Sequence, residues 1–201
     1  MPRINTEYRE GAKKKIIAAA LEIAAEKSWD AVTLEAIAQK VGVTKGALYA
    51  YYNNSEELLR EVILEVFRKV RDGLVATLKD EENIRSTIRN LADLVFEQQK
   101  PYASIFCQLP MRLPQDPRYR EEFIQIFDSN RFLIRDYLVR MKNREKLPPG
   151  ADPDSAASAL IAMTLGLRIS SLFLGKDAGE AKKIWIDSVE RILGIGPGKK
   201  G

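Results

Sequence analysis

The sequence predicts an all-α protein of about nine helices. Apolar residues recur at helical spacing along almost all of the 201-residue chain, and no alternating β-branched runs joined by hairpin turns extend over a useful length. Prolines, glycines and capping residues divide that pattern into segments, and 45% apolar composition supplies a proper core. The first segment, about 10–27, repeats Ile16, Ala20 and Ile23 on one face and stops near Ser28. Thr33 is a good N-cap for a short helix over 34–40, Gly42 marks the turn after it, and Thr44 caps a third helix over 45–52. The cluster Asn53-Asn54-Ser55 then breaks the chain. Ser55, with Glu56 and Glu57 suiting the helix dipole, opens a long fourth helix over 55–79. Longer helices follow at 81–99, 102–109, 117–142, 154–173 and 179–193, separated by Pro101, Pro110, Pro114, Pro117, Pro148-Pro149-Gly150 and Gly175. The glycine-rich ending predicts a flexible tail over 194–201.

Composition removes several function classes. Cys107 is the sole cysteine, so no intramolecular disulfide forms and a cytoplasmic setting is the expectation. The charged N-terminus leads into an amphipathic run, and neither a signal peptide nor a membrane span is expected. The chain has no histidine, which takes away the commonest general base and metal ligand together. Carboxylates such as Glu121-Glu122 read as a solvated face, without a nucleophile–base pair, metal cluster or phosphate loop beside them. No enzyme activity, cofactor or metal is expected. The formal charge of +4 permits nucleic-acid binding without demanding it. Most of it sits at the start: residues 1–20 hold Arg3, Arg9, Lys13, Lys14 and Lys15 against Glu7 and Glu10.

Residues 33–51, TLEAIAQKVGVTKGALYAY, have the spacing of a helix-turn-helix. Ala38 lies four residues before Gly42, the small side chain letting two helices approach and the glycine allowing a left-handed turn. Ile37, Ala38, Val41, Val43 and Leu48 form the expected small core. A plain αα-hairpin would satisfy the same spacing, but the third helix exposes Thr44, Lys45, Gly46, Ala47, Tyr49, Ala50 and Tyr51, poor material for a solvated face. It suits a groove. Small residues permit close entry into the major groove, an alanine methyl can meet a thymine methyl, and a lysine can donate to guanine O6 or N7. Tyrosine and threonine hydroxyls and the helix N-terminus can bind phosphates. Lysines 13–15 read equally as phosphate contacts or as a solvated helix start.

From Lys15 to Leu59, KIIAAALEIAAEKSWDAVTLEAIAQKVGVTKGALYAYYNNSEELL, the chain resembles the TetR-like family of transcriptional regulators across three helices and their joins. Thr33 matches the cap of the second helix, VGVTKGALY the turn and recognition helix, and Tyr52 the place of a buried aromatic. There are departures. Ala24 stands where phenylalanine is usual, Ser28 where glycine is, and Ser55 where a phosphate-binding lysine is common. The resemblance implies a helix-turn-helix DNA-binding domain over 1–54, with Thr33, Thr44, Lys45, Gly46, Ala47, Tyr49, Tyr51 and Ser55 at the DNA. It also implies a larger helical ligand-binding and dimerisation domain over 55–193.

Beyond about residue 80 the residues speak for themselves. The segment ADPDSAASALIAMTLGLRISSLF is apolar or small around its whole circumference, with Arg168 its one charge between Asp154 and Lys176. Full burial in one small domain is easier if one face packs on the core and another on a second subunit. Leu165 and Leu172 of this helix, with Trp185 and Val189 of the amphipathic helix after it, are the expected homodimer interface; an intramolecular core helix is the alternative. Paired recognition helices would then read a pseudo-palindromic operator in double-stranded DNA. Phe96, Tyr102, Phe106, Cys107, Met111, Phe127, Met163 and Arg168 are the candidate pocket. Each reads as core on its own, while the family resemblance implies a small-molecule cavity, here for a largely apolar effector. Arg168 suits an anionic ligand group or an acidic neighbour. The expected function is a sequence-specific transcriptional repressor released from DNA by a small molecule; a helical adaptor or DNA-coating protein is the rival, separable by salt titration on specific and random duplexes.

Overall fold

The computed structural model describes residues 6–27, 29–79, 83–98, 117–175 and 177–196. Among them are eight α-helices and no strand. The expected helix at 102–109 lies outside the described residues. Contacts divide the chain into two compact units, Met1–Arg68 and Lys69–Gly201. That division falls inside a helix, whereas the sequence boundary at 54/55 marks where the chain breaks; Leu58, Val62 and Val66, just beyond it, are buried.

In the first unit, α1 (Thr6–Glu26) buries Ile16, Ala20 and Ile23 on the expected stripe, together with Ile17 and Ala24. A 3-10 turn over Trp29–Ala31 leads to α2 (Leu34–Val41). Thr33 caps it, its hydroxyl accepting from Ala36 N–H at 3.1 Å. Gly42 ends it at φ 80°. Val43 N–H reaches Ala38 O at 2.9 Å and Gly42 N–H reaches Gln39 O at 3.3 Å, the paired closure that a left-handed residue after a helix permits. This closure leaves Val43 outside the small core at 41% exposure, a correction to the sequence expectation, whereas Ile37, Ala38 and Leu48 are buried. Lys40 on α2 pairs with Glu22 and Glu26 on α1, at 3.1 and 2.9 Å.

The third helix is shorter than expected. α3 covers Lys45–Leu48, after which Tyr49, Ala50 and Tyr51 continue as turns. Tyr51 N–H donates to Leu48 O, three residues back, which tightens the chain out of α geometry. Next comes α4 (Ser55–Thr77), whose cap is Asn54 rather than Ser55. Asn54 Oδ1 accepts from Glu57 N–H at 2.8 Å while Glu57 Oε2 accepts from Asn53 N–H at 2.8 Å, a reciprocal arrangement needing a carboxylate three residues after the cap. Tyr52, 2% exposed, fills the expected buried aromatic place.

In the second unit the end of α4 packs with α5 (Ile84–Asp93), α6 (Pro117–Asn143), α7 (Pro153–Leu174) and α8 (Ala178–Ile192) around Leu74, Ile88, Leu91, Tyr137, Met141, Leu160 and Trp185. Asn83, Asp152 and Asp177 cap α5, α7 and α8 through their side chains, with Pro153 placed where no helical N–H is needed. Gly73 permits a close approach: a Cβ there would stand 2.5 Å from Leu94 Cδ1. The tail expectation needs correction at its start. Ile195 N–H bonds Glu190 O at 3.0 Å, and Arg85 donates to the Ile195 and Gly196 carbonyls at 2.6 and 2.9 Å while pairing with buried Glu190 at 2.6 Å. Residues 197–201 lie outside the described residues.

Candidate nucleic-acid interface

The turn after α2 and the Thr44 cap fix how α3 is presented. Thr44 Oγ1 accepts from Ala47 N–H at 3.2 Å, so its hydroxyl already serves the helix, as Thr33's does. Thr33, Thr44, Lys45, Gly46 and Tyr49 are exposed, which puts five of the eight expected DNA residues on the surface of the first unit. Ala47 and Tyr51 are half-buried. Ser55 is the first residue of α4, and the Asn54 side chain before it accepts from Glu57 N–H. A Cβ on Gly46 would meet only Thr44 Oγ1, at 3.9 Å, so the outer surface there is open backbone.

Lys45 does not stand alone. Its ammonium is bonded to the Glu35 carboxylate on α2, which holds the Glu35 carboxyl below its ordinary pKa and raises that of Lys45. The pair flanks a recess of about 360 Å³ whose lining includes Thr33, Leu34, Ile37, Tyr49 and Leu58. Glu35 is the feature that sequence reasoning missed; its only signal was an acidic residue in the first turn of a helix expected beside an anionic partner. Of the three lysines, Lys13 is committed inside the unit: it pairs with Glu61 at 3.0 Å and lies 5.0 Å from the Tyr52 ring centroid. Tyr52 donates to the same carboxylate at 3.3 Å, and burial, then the Glu61 charge, raise its phenol above the ordinary value. Lys14 and Lys15 are exposed.

Of the expected pocket residues, Tyr102, Phe106, Cys107 and Met111 lie outside the described residues. Phe96 is buried edge-on to Trp185 with centroids 6.4 Å apart, Met163 packs against the same core, and Phe127 is half-buried 6.2 Å from Phe123. Arg168 is 7% exposed and donates to Val95 O at 2.7 Å, a backbone acceptor that neither sequence alternative named. Val95 lies in a π-helical turn, Leu94–Gln98, which continues α5. Such a turn shifts the backbone bonds by one residue and leaves carbonyls in need of a donor; Arg168, the one cation of α7, supplies one.

Two of the four expected interface residues are corrected. Trp185, 2% exposed, donates from its indole to Thr164 Oγ1 at 2.8 Å, and Val189 is wholly buried, so both belong to this chain's own core. Leu165 is half-buried and Leu172 is 49% exposed.

Comparison with known proteins places both units. Residues 16–62 match the family described as bacterial regulatory proteins, tetR family, and residues 81–194 match the C-terminal family of BetI-type transcriptional repressors. The biofilm operon icaADBC negative transcriptional regulator IcaR of Staphylococcus epidermidis is 31% identical over 97 residues, 48% of this chain and 52% of that protein. The transcriptional regulator SrpR of Pseudomonas putida is 26% identical over 196 residues, 96% of this chain and 90% of its own length. A TetR transcription regulator from Haloarcula marismortui shares the fold, with a TM-score of 0.77 at 14% identity over 93% of this chain and 98% of that one. Helices, caps and exposed α3 surface agree with these matches: the chain belongs to the TetR family of DNA-binding transcriptional repressors, whose members are typically released from their operators by small molecules.

Proposed function

We propose that this repressor acts in the cytoplasm as a homodimer that reads a pseudo-palindromic operator with two α3 helices and is released by a largely apolar effector held in the second unit. The observation that carries the reading is the surface of α7. This 22-residue helix is long and apolar enough to cross a membrane, yet only 17% of its most apolar window is buried within one chain. Ala162, Gly166, Ile169 and Phe173, spaced at four, three and four residues, are all exposed. Small residues at two of them let a second helix come close, and an apolar stripe of this kind, beside exposed Ile184 of α8, fits a symmetry-related copy.

At the DNA, Lys45 supplies the donor for a base edge and Tyr49 a hydroxyl for phosphate, while Gly46 and Ala47 keep the helix slim enough to enter the groove. Phe96 and Met163 at the core and half-buried Phe127 give the second unit apolar surface that suits an apolar effector.

The test is native mass spectrometry of the purified protein, with a dimer as the expected species, followed by calorimetry of any retained or identified effector with and without saturating operator. A ligand that releases DNA must bind more weakly to the DNA-bound protein by the same factor, on the order of 5- to 150-fold. Equal affinity in both states, for a ligand that competes at no DNA-contacting residue, would refute the coupling.

A further inference from the structure

The Glu35–Lys45 pair deepens the reading of α3 as the helix that meets DNA, and rests on it. A carboxylate on a surface that approaches phosphates is unfavourable for affinity, yet Glu35 is 65% exposed there, on the turn of α2 that lies beside Lys45. Its position is built. Thr33 caps α2 and Thr44 caps α3 through side-chain hydrogen bonds, and the Gly42 closure joins the helices without slack, so the second residue of α2 and the first of α3 are held side by side.

We propose that Glu35 is a specificity-determining residue of the DNA interface: it keeps the Lys45 ammonium in an internal ion pair, from which only a base edge offering good acceptors draws it. Sequence-independent binding is driven by cations that neutralise phosphates and release counterions. A lysine already neutralised by a neighbouring carboxylate releases none, so Lys45 adds little to binding on arbitrary duplex. At the right step, guanine O6 and N7 replace the carboxylate as acceptors, and the freed Glu35 can accept from a cytosine amino group. The pair is solvent-exposed on both sides, 46% and 65%, which makes it weak and readily exchanged. Glu35 thereby lowers background binding more than it lowers binding at the preferred sequence.

The experiment compares wild type, Glu35→Gln, Lys45→Gln and the double variant on two probes: a duplex enriched from a random library by the wild-type protein, and the unselected library. In Glu35→Gln, affinity for the unselected library rises on the order of tenfold, and its dependence of log K on log salt steepens by about 0.9 per subunit, one phosphate contact each. The enriched duplex gains less, so the specificity ratio falls. In the Lys45→Gln background the same change leaves the salt slope where it was, which a simple loss of repulsion or a role in the α2 dipole would not do. An unchanged slope in Glu35→Gln, or an equal change with and without Lys45, overturns the proposal; Glu35→Ala, with its thermal midpoint recorded, guards against a folding artefact. A wild-type protein that enriches no sequence overturns the DNA reading as well, whereas one that does so while Glu35→Gln is silent overturns only the role of Glu35.

Discussion

Replacing Phe173 by glutamate separates assembly from folding in this protein. Phe173 is 75% exposed in the single chain, in the last turn of α7, so a charge there stays in water in the monomer and leaves the second unit folded. In the proposed dimer the phenyl ring is covered by the partner. Burying a side chain of that size contributes ~1.5–3 kcal/mol, and two-fold symmetry counts it twice, about 3–6 kcal/mol per dimer. That is on the order of 10²–10⁴-fold in the dimer dissociation constant, before any cost of burying the carboxylate. Sedimentation over a concentration series should show a dimer for wild type and monomer for the variant, with the far-ultraviolet dichroism and thermal midpoint of the monomer preserved. Trp185→Glu makes the contrast, because Trp185 is 2% exposed inside its own chain and its replacement unfolds the second unit whatever the oligomeric state. A wild-type monomer, or a Phe173→Glu dimer of unchanged affinity, would refute the α7 interface.

Lys45→Ala is expected to weaken binding to the preferred duplex by ~1–3 kcal/mol and to relax preference at one base position, measured by competition against single-base variants. An equal loss on all sequences would reassign Lys45 to phosphate; Tyr49→Phe, by the same assay, should lose less and uniformly. Thr164→Val keeps the shape of the α7–α8 contact but strands the buried Trp185 indole N–H, now 2.8 Å from Thr164 Oγ1. Denaturant titration should show a loss of ~1–3 kcal/mol, and the loss should be less than additive with Trp185→Phe. Full additivity would mean that the bond contributes nothing.

What could be read in the sequence was what local chemistry decides. Thr33, Gly42, Thr44 and the apolar stripe of α1 were legible because caps, left-handed turns and helical spacing act over a few residues. The cap of α4 falls among three adjacent cap formers, Asn53, Asn54 and Ser55. Glu57 decides it, since it lies three residues after Asn54 and only two after Ser55. The α3 boundary was beyond reach, because nothing in Tyr-Ala-Tyr announces a switch to three-residue hydrogen bonding. A π-helical turn leaves no trace in composition either, although the isolated charge of Arg168 was a sign that something polar needed a donor. Trp185 and Val189 show a different limit: an amphipathic face says that residues are buried, not against which neighbour. For the candidate DNA site, the exposure of Thr33, Thr44, Lys45, Gly46 and Tyr49 was legible, and the Glu35–Lys45 pairing was not, because it depends on how two helices are set across a turn.

The shortness of α3 bears on why assembly and release belong together. A four-residue helix followed by a tight turn offers few side chains to a groove, so in the proposed reading one copy alone would meet DNA weakly. Joining two copies makes the second engagement intramolecular, and the gain depends on whether the span between the two α3 helices matches the span between half-sites. A switch built this way needs no large deformation of either reading head. An effector has only to favour a form in which that span is wrong, and a differential affinity of ~1–3 kcal/mol is enough to shift occupancy several-fold or more. The same arithmetic ties the proposed α7 face to regulation: a variant that cannot pair through Ile169 and Phe173 should lose the avidity on which release would act, and so bind its operator weakly whether or not effector is present.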